Sequence, residues 1–211
     1  MQPANQIVSA MALALLSATA SAATTTFTSS ATFLSNVAPG FYTETFTGLG
    51  TPPAGAVAFS GGGFSYSASA PGDIYGGGDF LGTSLIDVTL TISFTSGNIS
   101  AVGANFFATD ISDAFQVEGL TINLNDGTTA SFTPSSVSDG FRGFVSDAII
   151  TSLTVSLSGQ DTSMYAGLDN LTVGAKLVST QPPDRVPEPA SWALVAVGLS
   201  GLLIARRRAI F

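Results

Sequence analysis

The chain contains no cysteine and no histidine, and these two absences restrict its chemistry strongly. Without cysteine an exported domain has no disulfides, so its stability must come from its hydrophobic core or from a bound metal. Without histidine, the Ser-His-Asp and Cys-His nucleophile pairs are excluded, and so are the usual zinc sites. Most familiar hydrolase mechanisms are therefore ruled out.

Basic residues are also scarce, with six against 14 acidic residues. Thirteen of the acidic residues lie between residues 23 and 185, where the only basic residues are Arg142, Lys176 and Arg185. This segment is ten charges negative, so it repels phosphate backbones, and we expect no nucleic-acid partner. The sole tryptophan, Trp192, lies near the C-terminus, so the middle of the chain lacks the strongest ring for stacking on sugars.

The middle of the chain is rich in threonine, serine, glycine, valine and phenylalanine, which suit strands and turns. The clearest predicted strand, residues 86–94, alternates apolar and polar side chains with a period of two. Further strands are predicted at 115–124 and 149–157, whereas 71–82 is predicted to be a glycine-rich loop. About ten short strands with hardly a helix predict an all-β ectodomain over residues 23–178, an antiparallel β-sandwich that is jelly-roll-like.

Residues 1–22 are typical of a signal peptide for the Sec export machinery. Residues 7–16 form an apolar core, and Ala20-Ser21-Ala22 fits the small-x-small cleavage pattern. The first six residues contain no lysine or arginine, which departs from the usual pattern. The alternative is an uncleaved N-terminal membrane helix, although the run is short and has no stop-transfer flank.

Three elements follow one another at the C-terminus, after a polar linker at residues 179–185. Val186, Pro187, Glu188 and Pro189 form an extended stretch that cannot continue a helix. Residues 190–205 carry no charge and are long enough for a short transmembrane helix. The helix would end at Arg206, Arg207 and Arg208, which mark its cytoplasmic end. This topology places the ectodomain outside the inner membrane; the alternative is a generic anchor behind a proline-containing linker.

The order of these elements over residues 186–211 resembles the PEP-CTERM sorting tail of Gram-negative bacterial surface proteins. In that family the tail is recognised by exosortase, a membrane transpeptidase-like cysteine protease. The resemblance implies that residues 186–189 are the sorting motif, that the arginines are a retention signal, and that the mature protein reaches the cell surface or the exopolysaccharide matrix. The same tail is sometimes labelled an ice-binding-protein C-terminal domain, but the threonine runs at 24–28 and 88–95 are too short to show a regular array.

Glu44 in an early strand and Asp169 in the last strand resemble a pair found in jelly-roll carbohydrate-binding modules. In those modules two such acidic residues clamp a structural calcium, which prefers several hard oxygen ligands. The resemblance therefore implies calcium as the one candidate cofactor. The alternative is that both carboxylates simply face solvent or bond a neighbouring turn.

Asp73, Tyr75 and Asp79 share the glycine-rich segment 71–82, where a ring and two acceptors could bind a sugar. Asp110 and Asp113, in a loop between two strands, form a weaker candidate for a cation or a sugar hydroxyl. A glycosidase needs two carboxyl groups facing each other across a cleft, and nothing in the sequence singles out such a pair. We therefore predict a non-catalytic structural or interaction protein; the alternatives are a binding module for exopolysaccharide and, remotely, a carboxylate-based glycoside hydrolase.

Overall fold

The computed structural model describes residues 23–159 and 162–178, which form two antiparallel sheets and one short helix. In chain order the elements are β1 (Thr24–Phe27), α1 (Ser30–Leu34), β2 (Tyr42–Glu44), β3 (Val57–Gly61), β4 (Phe64–Ser69), β5 (Ile74–Gly76), β6 (Leu81–Thr83), β7 (Leu90–Phe94), β8 (Ala101–Thr109), β9 (Phe115–Gln116), β10 (Leu120–Leu124), β11 (Thr129–Phe132), β12 (Phe141–Ser146), β13 (Ser152–Leu157) and β14 (Tyr165–Gly174).

The two sheets are built from strands that are distant in sequence. The eight-stranded sheet has the order β1-β12-β8-β14-β6-β5, with β2 also pairing with β14 and β9 with β8. The six-stranded sheet has the order β11-β10-β13-β7-β4-β3. One large cluster of buried apolar residues draws members from both sheets. The prediction of an all-β sandwich is thereby confirmed.

The core follows from the alternation along the strands. In β7 and β10 every second residue is buried and the residues between them are partly exposed. Leu120 and Ile122 of one sheet, and Phe106 and Leu168 of the other, are fully buried in the same cluster. Burying each such side chain contributes about 1.5–3 kcal/mol, which a chain without disulfides needs.

Four predicted segments differ from the structure, and in one of them the strand predicted at 149–157 begins only at Ser152. The strand predicted at 86–94 begins only at Leu90, because Asp87 has a left-handed backbone (φ 57°) and its carboxylate accepts hydrogen bonds from the N–H groups of Thr162 and Ser163, each at 3.2 Å. The strand predicted at 115–124 is interrupted and forms β9 and β10. The segment predicted to be a loop, 71–82, contains β5 and the start of β6.

The helix α1 lies against the outer face of the eight-stranded sheet. Its Phe33 is fully buried in a second, smaller apolar cluster with Ala101 and Phe141. Glycines make this close approach possible: a Cβ at Gly143 would lie 2.5 Å from Cδ2 of Phe33. A five-residue helix is not stable alone, so packing onto this glycine surface holds it.

The predictions for the two ends of the chain lie outside the described residues. These are the signal peptide at 1–22, the linker at 179–185 and the transmembrane helix at 190–205. Among the helices of residues 23–159 and 162–178, none has the length and apolarity to cross a membrane.

Candidate ligand-binding pocket

A pocket of about 170 Å³ opens at one end of the eight-stranded sheet, where β5, β6, β8 and β14 come together. Thr109 at the end of β8 and Tyr165 at the start of β14 are register partners. Their neighbours along the strands, Ala108 and Ala166, are fully buried, so Thr109 and Tyr165 lie on the outer face. The pocket is lined by Tyr75, Phe80, Thr83, Ser84, Thr109, Asp110, Ile111, Asp113 and Tyr165.

The aromatic wall depends on glycines that let a ring lie against the backbone. A Cβ at Gly77 would lie 2.0 Å from Cε1 of Phe80, so only glycine leaves room for this ring. The Phe80 ring packs edge-on against Phe107, with the centroids 5.4 Å apart, and its centroid lies 6.1 Å from that of Tyr75. The glycine-rich segment therefore holds the Phe80 ring in place between Tyr75 and the sheet.

A hydrogen bond joins two walls of the pocket. The hydroxyl of Tyr75 on β5 donates to Oδ2 of Asp113 in the loop after β8, at 2.8 Å. This bond raises the pKa of Tyr75, with smaller contributions from burial and from the charge of Asp113, so the phenol is protonated at neutral pH. Asp113 has a left-handed backbone (φ 65°), which the closed loop imposes.

The second carboxylate in the pocket, Asp110, holds the loop together. Its Oδ1 accepts the N–H and the hydroxyl of Ser112 at 2.8 and 2.7 Å and the N–H of Ala114 at 3.1 Å. Its Oδ2 accepts Nε2 of Gln116 at 2.7 Å. These bonds, led by the Ser112 hydroxyl, lower the pKa of Asp110, so it is a fixed negative charge at neutral pH.

Among the residues that the structure describes, no basic side chain lines this pocket. The guanidinium Cζ of Arg142 lies 3.6 Å from the centroid of the Phe132 ring, and its Nη1 donates to two backbone carbonyls. Lys176 forms a salt bridge with Asp147. The pocket is thus aromatic and acidic.

Of the three residues predicted to bind a ligand from segment 71–82, only Tyr75 lines the pocket. Oδ1 of Asp73 accepts the N–H of Gly55 at 2.7 Å, which ties two loops together. Asp79 is exposed, and its charge acts on Asp169. The sequence indicates Asp113 only as a weak loop candidate. It does not place Tyr165 in the site, because that position depends on the strand register.

The structure does not bring Glu44 and Asp169 onto one face. Glu44 is the register partner of the fully buried Leu171, and its carboxylate accepts the hydroxyl of Tyr42 at 2.6 Å and the N–H of Phe46 at 3.2 Å. Asp169 pairs with Asn105, between the buried residues 104 and 106, and therefore lies on the outer face.

Asp169 and its surroundings do not form a dense group of ligands. Its carboxylate accepts the N–H and Nδ2 of Asn170 at 2.6 and 2.7 Å. Burial raises the pKa of Asp169, and the charge of Asp79 adds to this rise, while the Asn170 N–H opposes it. In residues 23–159 and 162–178 there is no group of three or more His, Cys, Asp or Glu side chains that could hold a metal ion.

Comparison with known proteins identifies the C-terminal segment. Residues 185–208 match the PEP-CTERM protein-sorting motif, which confirms the predicted resemblance to a PEP-CTERM sorting tail. The motif implies export and a membrane-anchored precursor that exosortase processes.

None of the curated proteins compared matches the chain. Among solved structures, the chain is similar to the exo-beta-1,3-galactanase Pc1,3Gal43A of Phanerochaete chrysosporium, whose structure contains galactose, with 22% identity and a TM-score of 0.29. The match covers 58% of this chain and 30% of the galactanase chain.

Proposed function

We propose that the protein is a non-catalytic component of the cell surface or the extracellular matrix. It is exported by the Sec machinery, and its ectodomain is periplasmic while the tail anchors the precursor in the inner membrane. Exosortase then processes the tail and releases the sandwich to the exopolysaccharide matrix. The observation that carries this proposal is the sorting motif at residues 185–208, C-terminal to a folded β-sandwich.

The jelly-roll topology is part of this proposal. Four strands of the eight-stranded sheet have the order β12-β8-β14-β6, and four of the other sheet have the order β11-β10-β13-β7. Along the chain, β6, β7, β8 and β10 alternate between the sheets, and so do β12, β13 and β14. Eight strands arranged as two antiparallel layers with such crossings are typical of a jelly roll.

The chemistry of the pocket supports the proposed non-catalytic role. A retaining or inverting glycosidase needs one carboxyl group that stays protonated to act as general acid. The hydrogen bonds to Asp110 lower its pKa and favour the ionised form instead. Oδ2 of Asp113 is occupied by the Tyr75 hydroxyl. These two carboxylates are better suited to shape a binding pocket than to transfer a proton.

The sorting step is tested by replacing both motif prolines, in the variant P187A/P189A. We expect this variant to accumulate as unprocessed, membrane-retained protein, because the extended stretch that exosortase recognises is lost. Cell fractionation and gel mobility measure the processed fraction. The linker variant P182A/P183A, which removes two prolines just outside the matched residues, is the control and should be processed normally. Equal processing and location of both variants would contradict the proposal.

A second candidate role is that of a binding module for matrix exopolysaccharide. The pocket favours it, because a concave site with aromatic walls and a few polar groups is the usual form of a small-ligand site. Tyr75, Phe80 and Tyr165 supply the rings, and Asp113 and Thr109 supply polar groups. This role is compatible with retention of the sorted protein in the matrix.

A structural calcium remains a prediction. The strand register determines which substitution should change the calcium dependence of stability. Because Glu44 and Asp169 lie on opposite faces of the sheet, we expect Glu44→Gln to leave the calcium dependence of the melting temperature unchanged. The measurement compares melting of wild type, Glu44→Gln and Asp169→Asn with millimolar calcium and with chelator, since a ligand that binds only the folded state raises the melting temperature. A calcium-induced rise that both substitutions abolish would establish the predicted clamp instead.

A further inference from the structure

We infer that the pocket between Tyr75 and Tyr165 takes a terminal sugar unit that is uncharged or carries a protonated amine, and that it rejects uronate units. This inference rests on the proposed polysaccharide-binding role and names the ligand class for it. Three properties of the pocket carry it: its size, its polar floor and its charge.

The size of the pocket fits one ring. The volume of about 170 Å³ is below the roughly 300–1,000 Å³ of sites for drug-sized ligands, so the pocket suits a small ligand such as one sugar unit. The bond between Tyr75 and Asp113 ties the β5 wall to the 110–113 loop. A polymer chain cannot run through on that side, so the geometry favours a chain end.

The floor of the pocket offers polar groups beneath the rings. Thr83 and Thr109 line it although they are only 1% and 3% exposed. The Thr83 hydroxyl donates to the carbonyl of Leu85 at 2.9 Å. A threonine hydroxyl can both donate and accept a hydrogen bond, so Thr109 can bind a sugar hydroxyl that enters the pocket.

The charge of the pocket sets the selectivity. Asp110 is ionised at neutral pH, Asp113 faces the same space, and no lysine or arginine of residues 23–159 and 162–178 lines the pocket. A uronate would therefore meet like charge without a counter-charge. A protonated amine would instead donate a charge-assisted hydrogen bond to a carboxylate and take a favourable position over a tyrosine ring. We therefore expect affinity to fall in the order amino sugar, neutral sugar, uronate.

The test measures binding of full-length protein, in a detergent without a sugar headgroup, to short oligomers of glucosamine, glucose and galacturonic acid. At about pH 6 the amine of glucosamine is protonated, and the uronate carboxyl group and Asp110 are ionised. Calorimetry should give the tightest binding for glucosamine oligomers, weaker binding for glucose oligomers and none for the uronate. Raising the salt concentration should weaken glucosamine binding more than glucose binding.

Two substitutions with matched controls locate the site. Tyr165→Ala should weaken binding of both glucosamine and glucose oligomers by about tenfold. The control for Tyr165→Ala is Phe41→Ala, since Phe41 is an exposed aromatic residue (41%) that does not line the pocket. Asp113→Asn should remove the preference for glucosamine over glucose while glucose binding persists. Its control, Asp139→Asn, changes a loop carboxylate outside the pocket that accepts the N–H of Ser135 at 2.8 Å.

The outcomes separate this inference from the role on which it rests. If no oligomer binds, the polysaccharide-binding role fails, and this inference fails with it. If sugars bind but the uronate binds as tightly as glucosamine, or Tyr165→Ala and Asp113→Asn behave like their controls, the pocket assignment alone is overturned. If Tyr165→Ala does not fold, as judged by its melting curve, Tyr75→Phe replaces it: this variant keeps the ring, frees Asp113, and should alter the preference between glucosamine and glucose.

Discussion

Replacing Phe106 with alanine is expected to lower the free energy of unfolding by about 3–5 kcal/mol, the range for deleting a buried aromatic side chain. Phe106 is fully buried in the main core cluster. It lies on β8, which pairs with β12 on one side and β14 on the other, and it is the register partner of the buried Leu168. A cavity here cannot collapse unless the pairings of β8 with both β12 and β14 shift. Urea unfolding of full-length protein, followed by circular dichroism, measures the loss.

The neighbouring Phe107→Ala variant is the control for this prediction. Phe107 points to the opposite face of the same strand, is 4% exposed, and its ring packs on Phe80 rather than in the core. We expect a smaller loss of stability, because solvent and loop atoms can fill the space it leaves. Equal losses for the two variants would show that the sheet does not separate the core from the pocket as described.

The strands were predictable where one face is buried and the other is solvated. Residues 120–124 and 153–157 alternate strictly, and both are strands whose apolar side chains are buried except for Leu157, which is partly buried. The same alternation predicted a strand that begins too early, at residue 86, because Ile86 fits the apolar pattern but is 44% exposed. What ends the pattern there is the turn at Asp87, whose bonds reach residues 162 and 163. Sequence alternation cannot reveal a contact over that distance.

The pocket was predictable only in part, for the same reason. Tyr75 stood out because a ring between two carboxylates, Asp73 and Asp79, could stack on and hydrogen-bond to a sugar. Its neighbours in the pocket, Asp113 and Tyr165, are 38 and 90 positions away and reach it through strand pairing. Asp73 and Asp79 are close to Tyr75 in sequence, but neither lines the pocket. The Asp73 carboxylate accepts the N–H of Gly55, and the charge of Asp79 acts on Asp169. By contrast, the sorting tail is a contiguous motif that needs no fold to be recognised.

Replacing Gly140 with alanine is expected to destabilise the protein by about 3 kcal/mol, at the upper end of the usual cost of overpacking. A Cβ at Gly140 would lie 2.1 Å from the carbonyl oxygen of Phe106 and 3.1 Å from that of Val137. Both obstacles are backbone atoms, so no side-chain rotation relieves the clash. The backbone cannot move aside easily either, because the N–H of Phe106 donates to the carbonyl of Gly140 at 3.0 Å where β12 joins β8.

A matched glycine separates this clash from the general effect of adding a methyl group. A Cβ at Gly50 would have no heavy atom within 4 Å, and the backbone there is not left-handed, so Gly50→Ala should be neutral or stabilising by about 0.4–1 kcal/mol through the unfolded state. The melting temperatures of the two variants therefore should move in opposite directions or differ by many degrees. If Gly140→Ala had the same melting temperature as Gly50→Ala, the backbone of β12 and β8 would have to move to admit the added Cβ. The junction between these two strands would then not be rigid.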